Sequence, residues 1–410
     1  MRKNTLGHRK RVTARARAMI LTAALALALS ACNPAPPATS APSATTGSPT
    51  ATSTPSETTS PSAGPPSSQS PAAGPTGTAS HDAQQSGQQA GGKPGHVFVI
   101  NLENKGYYTT WGKNSPAPYL SGTLRSQGVL LTNYYGIAHN SNPNYLAQIS
   151  GQSSNQMTRD DCPTYTPFTV TGTASLGQVQ GTGCVYPASV PTVAGQLSAA
   201  GKTWKGYMED MATPCQHPDP GAEDNHQKAT STDQYATRHN PFVYFESITA
   251  SPDCARNVVN LDRLAGDLKS VATTPNLSYI TPNLCNDGHD SPCADGRPGG
   301  LETADAWLRQ HVPAILDSAA FKQDGVLVIT FDESEGHTTG PSGVAGGTDG
   351  GKIGALILSP FTKGGTTSTV AYNHYSLLGS IEDIFSLPRL GYAGAPGINT
   401  FGPDAFNARS

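Results

Sequence analysis

The chain has 410 residues and a formal net charge of −3, and 13% of its residues are charged. Seven of its 26 basic residues lie in residues 2–17, so the remainder carries 19 basic and 29 acidic residues and a net charge of −10. This excess of acid argues against a protein that binds nucleic acid or anionic membranes through bulk charge.

The basic N-terminal segment precedes an apolar stretch from Met19 to Ala31 that is too short for a permanent membrane-spanning helix. This pattern is typical of a secretory signal peptide over residues 1–31. Residues 29–32 read Leu-Ser-Ala-Cys and resemble a bacterial lipoprotein box, in which Cys32 becomes the lipidated first residue. We therefore expect an exported protein that is lipid-anchored on the outer face of the cell membrane. A plain secretory signal with a chance cysteine, and hence a secreted protein, is the alternative.

Residues 32–95 consist almost entirely of Pro, Ser, Thr, Ala and Gly with few large apolar side chains. Such a segment buries too little surface to offset the entropy of ordering, which predicts a disordered stalk. The stalk would hold the following domain away from the membrane or carry it through a cell wall.

Residues 96–408 are long enough for one large domain, in which strand-like runs alternate with helical ones. This alternation predicts an α/β fold with a mostly parallel central sheet and helices on both faces. The stretches 152–190 and 211–255 are rich in Gly and Pro, and we interpret them as insertions that shape the site. The predicted strands are 96–102, 277–281, 325–331 and 353–358, and the predicted helices are 192–200, 257–271, 303–321 and 374–386.

The remaining six cysteines support export, because an even number in an exported chain indicates disulfides. Pairing of sequence neighbours gives 162–184, 215–254 and 285–293, although six cysteines allow fifteen connectivities. A cysteine-ligated zinc site is the competing interpretation, which the lack of any Cys-x2-Cys pair disfavours.

Two pairs of polar residues follow strand-like runs directly: Glu103-Asn104 after 96–102, and Asp332-Glu333 after 325–331. Both runs are apolar and β-branched, as in buried parallel strands, and ligands bind beyond the carboxyl ends of such strands. Three carboxylates and an amide at one edge would bind one hard divalent cation, with Mg, Ca or Mn favoured over Zn. The alternative is that these residues are ordinary polar caps.

The segment 138–151 contains the candidate nucleophile, Ser141. Pro143 suits the first turn of a helix, so Ser141 would lie at a helix N-terminus, where free N–H groups favour an anion. A serine at that position could contact both the metal and a phosphate and act as a nucleophile. Asn144 is a candidate substrate ligand. Alternatively, Ser141 only caps the helix and Asn144 serves the backbone.

Histidines near other element ends are candidate acids and substrate ligands. His289 follows the strand 277–281 and could bind a phosphoryl oxygen or protonate the leaving group, with Asp287 and Asp290 to orient it or support the metal site. His239 lies beside an arginine near a helix end. His374 precedes a predicted helix and is a candidate substrate ligand or a surface residue.

Taken in order, these segments resemble the bacterial phosphoesterase family of the alkaline phosphatase superfamily. That family includes acid phosphatases, phosphatidylinositol-3-phosphatases and phospholipases C. The matching segments are Val-Ile-Asn-Leu-Glu-Asn at 99–104, Ser-Asn-Pro-Asn-Tyr at 141–145, Thr-Trp-Lys-Gly-Tyr-Met-Glu-Asp-Met at 203–211, Arg-His-Asn-Pro-Phe at 238–242, Ile-Thr-Pro-Asn-Leu-Cys-Asn-Asp-Gly-His-Asp at 280–290, Ile-Thr-Phe-Asp-Glu at 329–333 and Asn-His-Tyr-Ser-Leu-Leu at 373–378.

The resemblance implies a three-layer sandwich of the alkaline phosphatase type and an exported, metal-dependent acid phosphatase. It implies that a phosphoserine intermediate forms on Ser141, and it makes phosphatidylinositol 3-phosphate a candidate substrate. The implied metal ligands are Glu103, Asn104, Asp332 and Glu333, and the histidines implied around the phosphate are His139, His239 and His289. The alternatives are a phospholipase C-type phosphodiesterase and a non-catalytic surface lipoprotein.

Overall fold

Two buried parallel strands form the centre of the structure, which is a computed structural model that describes residues 93–335 and 349–408. They are β1, His96–Leu102, and β8, Gly325–Phe331, and every residue of both strands is buried. They are the apolar runs that precede the two polar pairs, and the prediction that both are buried parallel strands is confirmed; the structure also shows that they are neighbours in the sheet. The predicted signal peptide, Cys32 and nearly all of the stalk lie outside the described residues.

Eight strands form the central sheet, in the order β10-β2-β9-β8-β1-β7-β5-β6. β9 runs antiparallel to β2 and β8, and the other neighbouring strands are parallel. A separate hairpin comprises β3 and β4. The remaining strands are β2 Val129–Tyr135, β3 Thr169–Thr173, β4 Val179–Thr182, β5 Trp204–Met208, β6 Val258–Asn260, β7 Leu277–Thr281, β9 Ala355–Leu358 and β10 Thr366–Asn373.

Helices cover both faces of the sheet. The Phe98 ring of β1 contacts Phe321, and Asn101 of the same strand accepts a 3.0 Å hydrogen bond from Gln148. Side chains three positions apart on a strand point to opposite faces, so the helices of Phe321 and Gln148 lie on opposite sides. The α helices are α1 Tyr107–Trp111, α2 Ser141–Ser150, α3 Gln156–Arg159, α4 Val193–Ala199, α5 Glu246–Thr249, α6 Asp253–Asn257, α7 Leu264–Asp267, α8 Gly300–Asp317, α9 Ala319–Asp324 and α10 His374–Phe385.

This arrangement confirms the predicted α/β sandwich, but two predicted helices are wrong in detail. The segment 257–271 is divided into β6, a 3-10 turn and α7, because its first residues pair with β5 and Asn260 caps the following turn. The segment 303–321 is two helices, because Ser318 has extended backbone angles and its side chain caps α9. The predicted strand 353–358 begins two residues later, at Ala355.

The three predicted disulfides are confirmed: Cys162–Cys184, Cys215–Cys254 and Cys285–Cys293. The first two lie within the predicted insertions 152–190 and 211–255, and the third closes the loop after β7. Disulfides of this kind persist in oxidising compartments, in agreement with export. None of the helices in the described ranges has the length and apolar character needed to span a membrane.

Candidate active site

The ends of β1 and β8 bring the two polar pairs side by side. The register of these strands pairs Leu102 with Phe331, so Glu103-Asn104 and Asp332-Glu333 leave the sheet together. The backbone N–H of Asn104 donates to Asp332 Oδ1 at 2.9 Å, and its side-chain amide donates to Glu333 Oε1 at 3.1 Å. Positions more than two hundred residues apart therefore meet at one edge of the sheet, as the sequence predicts.

Ser141 lies against this cluster as the first residue of α2. Its hydroxyl donates a 2.9 Å hydrogen bond to Glu103 Oε2, and the Tyr145 hydroxyl donates a 2.5 Å bond to Glu103 Oε1. Asn140, just before the helix, has a φ of 74°, which turns the chain sharply into α2. The buried Glu103 carboxylate thus accepts hydrogen bonds from two hydroxyls presented one helical turn apart.

The N-terminus of α2 already holds an anionic side chain. Asp161 Oδ1 accepts a 2.9 Å hydrogen bond from the backbone N–H of Asn142, and Asp161 Oδ2 lies 3.9 Å from Arg238 Nε. The prediction that the helix N-terminus offers free N–H groups needs correction for Asn142, whose N–H donates to Asp161. Asp161 instead satisfies the positive end of the helix and connects it to the buried Arg238.

His239 lies buried between two carboxylates. Its Nε2 is 3.4 Å from Glu103 Oε1, its Nδ1 is 3.5 Å from Asp287 Oδ2, and its ring stacks on Tyr145 at 5.0 Å. Neither ring nitrogen has a hydrogen-bond partner among the residues that the structure describes. Burial, reinforced by the nearby Arg238, holds the pKa of His239 well below its usual value, so the ring is neutral.

Acid is in excess in this buried region. Burial raises the pKa of Glu103 well above its usual value, and the charges of Asp332 and Asp287 raise it further. Burial likewise raises the pKa of Asp287 and of Asp332, and Glu333 adds repulsion to Asp332. Each carboxylate is disfavoured by the others, which is the electrostatic environment that a bound cation relieves.

The donor chemistry of the strand ends fits a hard divalent cation. Asp332 Oδ2, Asp287 Oδ2 and Asn104 Oδ1 are buried oxygens that have no hydrogen-bond partner within the described ranges. These oxygens are the ligand type that Mg²⁺, Ca²⁺ and Mn²⁺ prefer. Within residues 93–335 and 349–408, one group of three His, Cys, Asp or Glu side chains has its ligand atoms within 4.8 Å of one another. That group contains Cys285 and Cys293, whose sulfurs form a disulfide. The carboxylates at the strand ends are not part of this group, so no three of them have ligand oxygens that all lie within 4.8 Å of one another.

Two further histidines flank the cluster. His139 Nδ1 lies 2.6 Å from Glu333 Oε2. His289 is the more accessible, with 39% of its side chain exposed, and its Nδ1 is 2.8 Å from Asp290 Oδ1. The backbone N–H of His289 donates to Asp287 Oδ1 at 2.8 Å, so Asp287 and Asp290 both orient this loop. A solvent-accessible imidazole held by a carboxylate beside the buried acids is suited to exchange protons with a bound substrate.

Comparison with known proteins identifies the family. The Phosphoesterase family model matches residues 33–388. The chain belongs to the phosphoesterase family. The predicted resemblance is therefore confirmed.

Curated relatives of this phosphoesterase include phosphatases. Phosphate-repressible acid phosphatase from Penicillium chrysogenum is 30% identical over 268 residues, which cover 65% of this chain and 54% of that protein. Acid phosphatase from Aspergillus fumigatus is 29% identical over 299 residues, covering 72% and 55%. Phosphatidylinositol-3-phosphatase from Mycobacterium tuberculosis is 27% identical over 298 residues, covering 73% and 79%. The chain thus spans little more than half the length of these fungal relatives.

Solved structures with a similar chain trace include a member of the alkaline phosphatase superfamily from Vibrio parahaemolyticus. It has 11% sequence identity and a TM-score of 0.44, over 77% of this chain and 72% of that one. Phosphonate monoester hydrolase of Agrobacterium radiobacter has 11% identity and a TM-score of 0.43, over 78% of each chain.

Two predicted substrate ligands of this phosphoesterase have their polar atoms engaged within the protein. Asn144 accepts hydrogen bonds from the backbone of Ile137 and Ala138 and donates to the carbonyls of Ala138 and Asn140. This uses both amide protons and both lone-pair positions of its carbonyl. Asn144 therefore shapes the turn before Ser141, as the alternative interpretation proposes, and has no hydrogen-bonding group left for a substrate.

His374 is likewise built into the scaffold. Its Nε2 lies 2.6 Å from the backbone carbonyl of Asp332, and its Nδ1 is 3.2 Å from the Tyr134 hydroxyl. Burial lowers the pKa of His374 to about 4. The neutral ring thus fixes the backbone at the end of β8, and direct contact with a substrate is not available to it.

Sequence reasoning did not include three residues that contact the site: Tyr145, Asp161 and Arg238. Tyr145 could have been found, because it lies four residues after Ser141 and therefore on the same face of the helix. Arg238 was noted only as the neighbour of His239. Asp161 gives no local signal, since it reaches α2 from an insertion whose course the sequence does not predict.

Proposed function

We propose that this protein is an exported, metal-dependent phosphatase that hydrolyses phosphomonoesters. The observation that carries the proposal is the 2.9 Å hydrogen bond from Ser141 Oγ to the buried Glu103, beside oxygens that suit a divalent cation. Membership of the phosphoesterase family and the names of the relatives support phosphoric ester chemistry. The relative named phosphatidylinositol-3-phosphatase makes phosphatidylinositol 3-phosphate the first lipid substrate to assay.

The residues that would hold the metal are Glu103, Asn104, Asp332 and Glu333. When bound, a divalent cation neutralises phosphate oxygens and acts as a Lewis acid on the phosphoryl group. Because all of these ligands are oxygen donors, we favour Mg, Ca or Mn over Zn.

In the proposed reaction, Ser141 is the nucleophile and Glu103 accepts its proton. The serine oxygen attacks phosphorus, the ester P–O bond breaks, and His289 donates a proton to the departing alcohol. Water then attacks the phosphoserine in the second half, giving one proton to His289, while the Ser141 oxygen leaves and recovers its proton from Glu103. We assign the acid role to His289 rather than to His239, because His289 reaches solvent and His239 is neutral and buried.

His139 and Asp290 have supporting roles in this proposal. His139 holds Glu333 through their 2.6 Å contact, and Asp290 fixes the His289 ring. Positioning and electrostatic stabilisation of the equatorial oxygens supply most of the catalysis in phosphoryl transfer. Side chains that orient the catalytic groups therefore matter as much as those that react.

Export and membrane attachment through a lipid on Cys32 remain part of the proposal. The three disulfides support an oxidising compartment. Labelling of the intact chain with a radioactive fatty acid would test the anchor, and loss of label in Cys32→Ser is the expected result. Label that persists in Cys32→Ser would contradict lipidation at this residue.

Ser141→Ala tests the nucleophile, and Ser150→Ala is its matched control. Both serines are buried on α2, but the Ser150 hydroxyl donates only to the carbonyl of Leu146. We expect Ser141→Ala to lower kcat on a chromogenic phosphomonoester by on the order of a thousandfold or more, and Ser150→Ala to stay within about threefold of wild type. Metal content measured by elemental analysis should be similar in both variants. Full turnover by Ser141→Ala would refute the assignment.

The same assay separates the alternative functions. A phospholipase C would hydrolyse a phosphocholine diester faster than the phosphomonoester, and a non-catalytic surface lipoprotein would hydrolyse neither. We expect faster turnover of the phosphomonoester and loss of turnover on chelation, with recovery when a divalent cation is added back. Preference for the diester would overturn the phosphatase assignment.

A further inference from the structure

One cavity in the described part of the chain is lined by residues other than those of the candidate active site. It has a volume of about 370 Å³ and is lined by residues of α1, of the loop after it and of the π-helical turn Tyr119–Leu124. None of the residues assigned above to catalysis or to the metal contributes to its lining. Tyr107, in its wall, is three residues after Asn104, so the cavity and the candidate metal site are adjacent in the chain.

The cavity carries two positive side chains that have no partner in the part of the chain that the structure describes. Lys113 and Arg125 both line it, and neither forms an ion pair or a side-chain hydrogen bond with any residue in the described ranges 93–335 and 349–408. Arg125 is half-buried. Burial raises the pKa of Tyr107, and the nearby Arg125 guanidinium partly offsets this rise. Lys113 is exposed. Two cations that line one cavity favour an anion there, because an anion that bound both would gain charge-assisted hydrogen bonds.

Aromatic side chains form a fixed wall beside these cations. The Trp111 indole N–H donates a 3.0 Å hydrogen bond to the carbonyl of Ile353. The backbone N–H of Tyr107 donates to the carbonyl of Lys352 at 2.8 Å, and the Lys352 ammonium lies 4.6 Å from the centre of the Tyr107 ring. Both aromatic residues are held by contacts with the segment 352–353, so a ligand that contacts their rings does not need to order them.

We propose that this cavity is a non-catalytic site for a phosphorylated polyol, with Arg125 and Lys113 on the phosphate and Tyr107 and Trp111 against the carbon ring. Arginine binds phosphate through two parallel N–H···O bonds, and lysine adds a point charge. The lining combines these aromatic residues with Ser115, Ser121 and the two cations, and such a polar lining suits a ligand rich in hydroxyl and phosphate oxygens. A phosphate on a ring that carries hydroxyl groups occurs in free inositol or sugar phosphates and in phosphoinositide headgroups. The site goes beyond the proposed function and does not depend on it.

The test is calorimetric titration of the full chain carrying Ser141→Ala, so that the ligand is not consumed. The probes are inorganic phosphate, inositol monophosphate, and phosphatidylcholine vesicles with or without a phosphatidylinositol monophosphate. We expect inositol monophosphate or the phosphoinositide vesicles to bind at a site whose affinity falls about tenfold or more in each of Arg125→Gln and Lys113→Gln. Binding should also change the tryptophan fluorescence of the protein. This change should be absent in Trp111→Phe, which would assign it to Trp111.

Gly122 offers a variant that blocks the cavity and keeps both cations. Gly122 lines the cavity and a Cβ built on it meets no atom within 4 Å, so Gly122→Leu has room for its side chain, and we expect it to narrow the cavity and leave the fold intact. We expect it to lose the same binding while its Tm stays within a few degrees of its parent. Binding of inositol monophosphate supports a soluble ligand. Binding only to phosphoinositide vesicles supports a lipid headgroup.

The proposal is overturned if neither inositol monophosphate nor the phosphoinositide vesicles bind at a site whose affinity falls in the Arg125, Lys113 and Gly122 variants. Turnover of a chromogenic phosphomonoester distinguishes this outcome from a failure of the proposed function. With Ser141 present, Arg125→Gln, Lys113→Gln and Gly122→Leu should retain that turnover within about twofold, because none of these residues lies in the catalytic cluster. Turnover that falls with the binding in all three variants would show one shared site and overturn a separate one.

Discussion

Replacing Tyr145 with phenylalanine removes one hydroxyl from the candidate active site and keeps the ring. That hydroxyl donates a 2.5 Å hydrogen bond to Glu103 Oε1, and both side chains are fully buried. The ring stacks on His239 with an interplanar angle of 6°, a contact that phenylalanine preserves. The substitution therefore isolates one bond to the carboxylate that accepts the Ser141 proton in the proposed mechanism.

The expected magnitude follows from the charge of the acceptor. A hydrogen bond to a charged group contributes about 1.5–3 kcal/mol, and 1.4 kcal/mol corresponds to a factor of ten in rate. If the bond persists in the transition state, Tyr145→Phe lowers kcat/KM by about 10- to 100-fold. The same bond lowers the pKa of Glu103, which burial raises, so its loss should move the acid limb of the pH–rate profile to higher pH.

Tyr279→Phe is the matched control. Tyr279 is equally buried, but its hydroxyl donates at 2.9 Å to the neutral side chain of Gln148. Both variants should lose about 1 kcal/mol or more of unfolding free energy in urea titrations, because each loses a buried hydrogen bond. Only Tyr145→Phe should lower kcat/KM on a phosphomonoester. Equal kcat/KM in the two variants would refute the role given to the Tyr145–Glu103 bond.

Three further predictions concern stability. Burial raises the pKa values of Glu103, Asp287 and Asp332, so the contribution of these three groups to the stability of the metal-free fold is complete below the ordinary carboxyl range and is lost as pH rises. We expect a chelator to lower Tm more at about pH 8 than at about pH 5, as measured by scanning calorimetry. The double variant C285S/C293S removes the disulfide of the loop that carries Asp287. It should lower the free energy of unfolding by about 2.5 kcal/mol in the chain-entropy model, and with it Tm. It should also lower kcat, because the same loop carries His289. His374 has a folded pKa of about 4 against an ordinary 6.5, so its contribution is complete above pH 6.5 and is lost as pH falls toward 4. Urea unfolding should show a smaller loss of stability over this range in His374→Gln.

The sequence predicted the parts of the fold that local chemistry determines. β1 and β8 were found because strands covered on both faces are continuous apolar runs, and the polar residues that follow them mark the edge where ligands bind. Each of the three disulfides joins one cysteine to the next cysteine along the chain. Ser141 was found because Pro143 marks the start of its helix.

Long-range packing determined what the sequence could not predict. The apolar spacing of 257–271 suits a helix, yet pairing with β5 at the sheet edge takes Val258 and Val259 into a strand. His374 was expected near the substrate, but its position under the Asp332 carbonyl depends on how α10 packs beneath the end of β8. Asp161 reaches the N-terminus of α2 from an insertion, and no local pattern encodes that contact.

The electrostatics of the site connect metal and substrate under the proposed function. Glu103, Asp287 and Asp332 are buried together, and the charge of Arg238 lowers the pKa of the first two. A phosphate dianion approaching these carboxylates would meet repulsion at short range in a medium of low dielectric constant. A divalent cation held by Asp332 Oδ2 and Asn104 Oδ1, which have no hydrogen-bond partner among the described residues, would reverse the sign of the local potential. We therefore infer that the cation must bind before the phosphate, so substrate affinity and metal occupancy should rise and fall together.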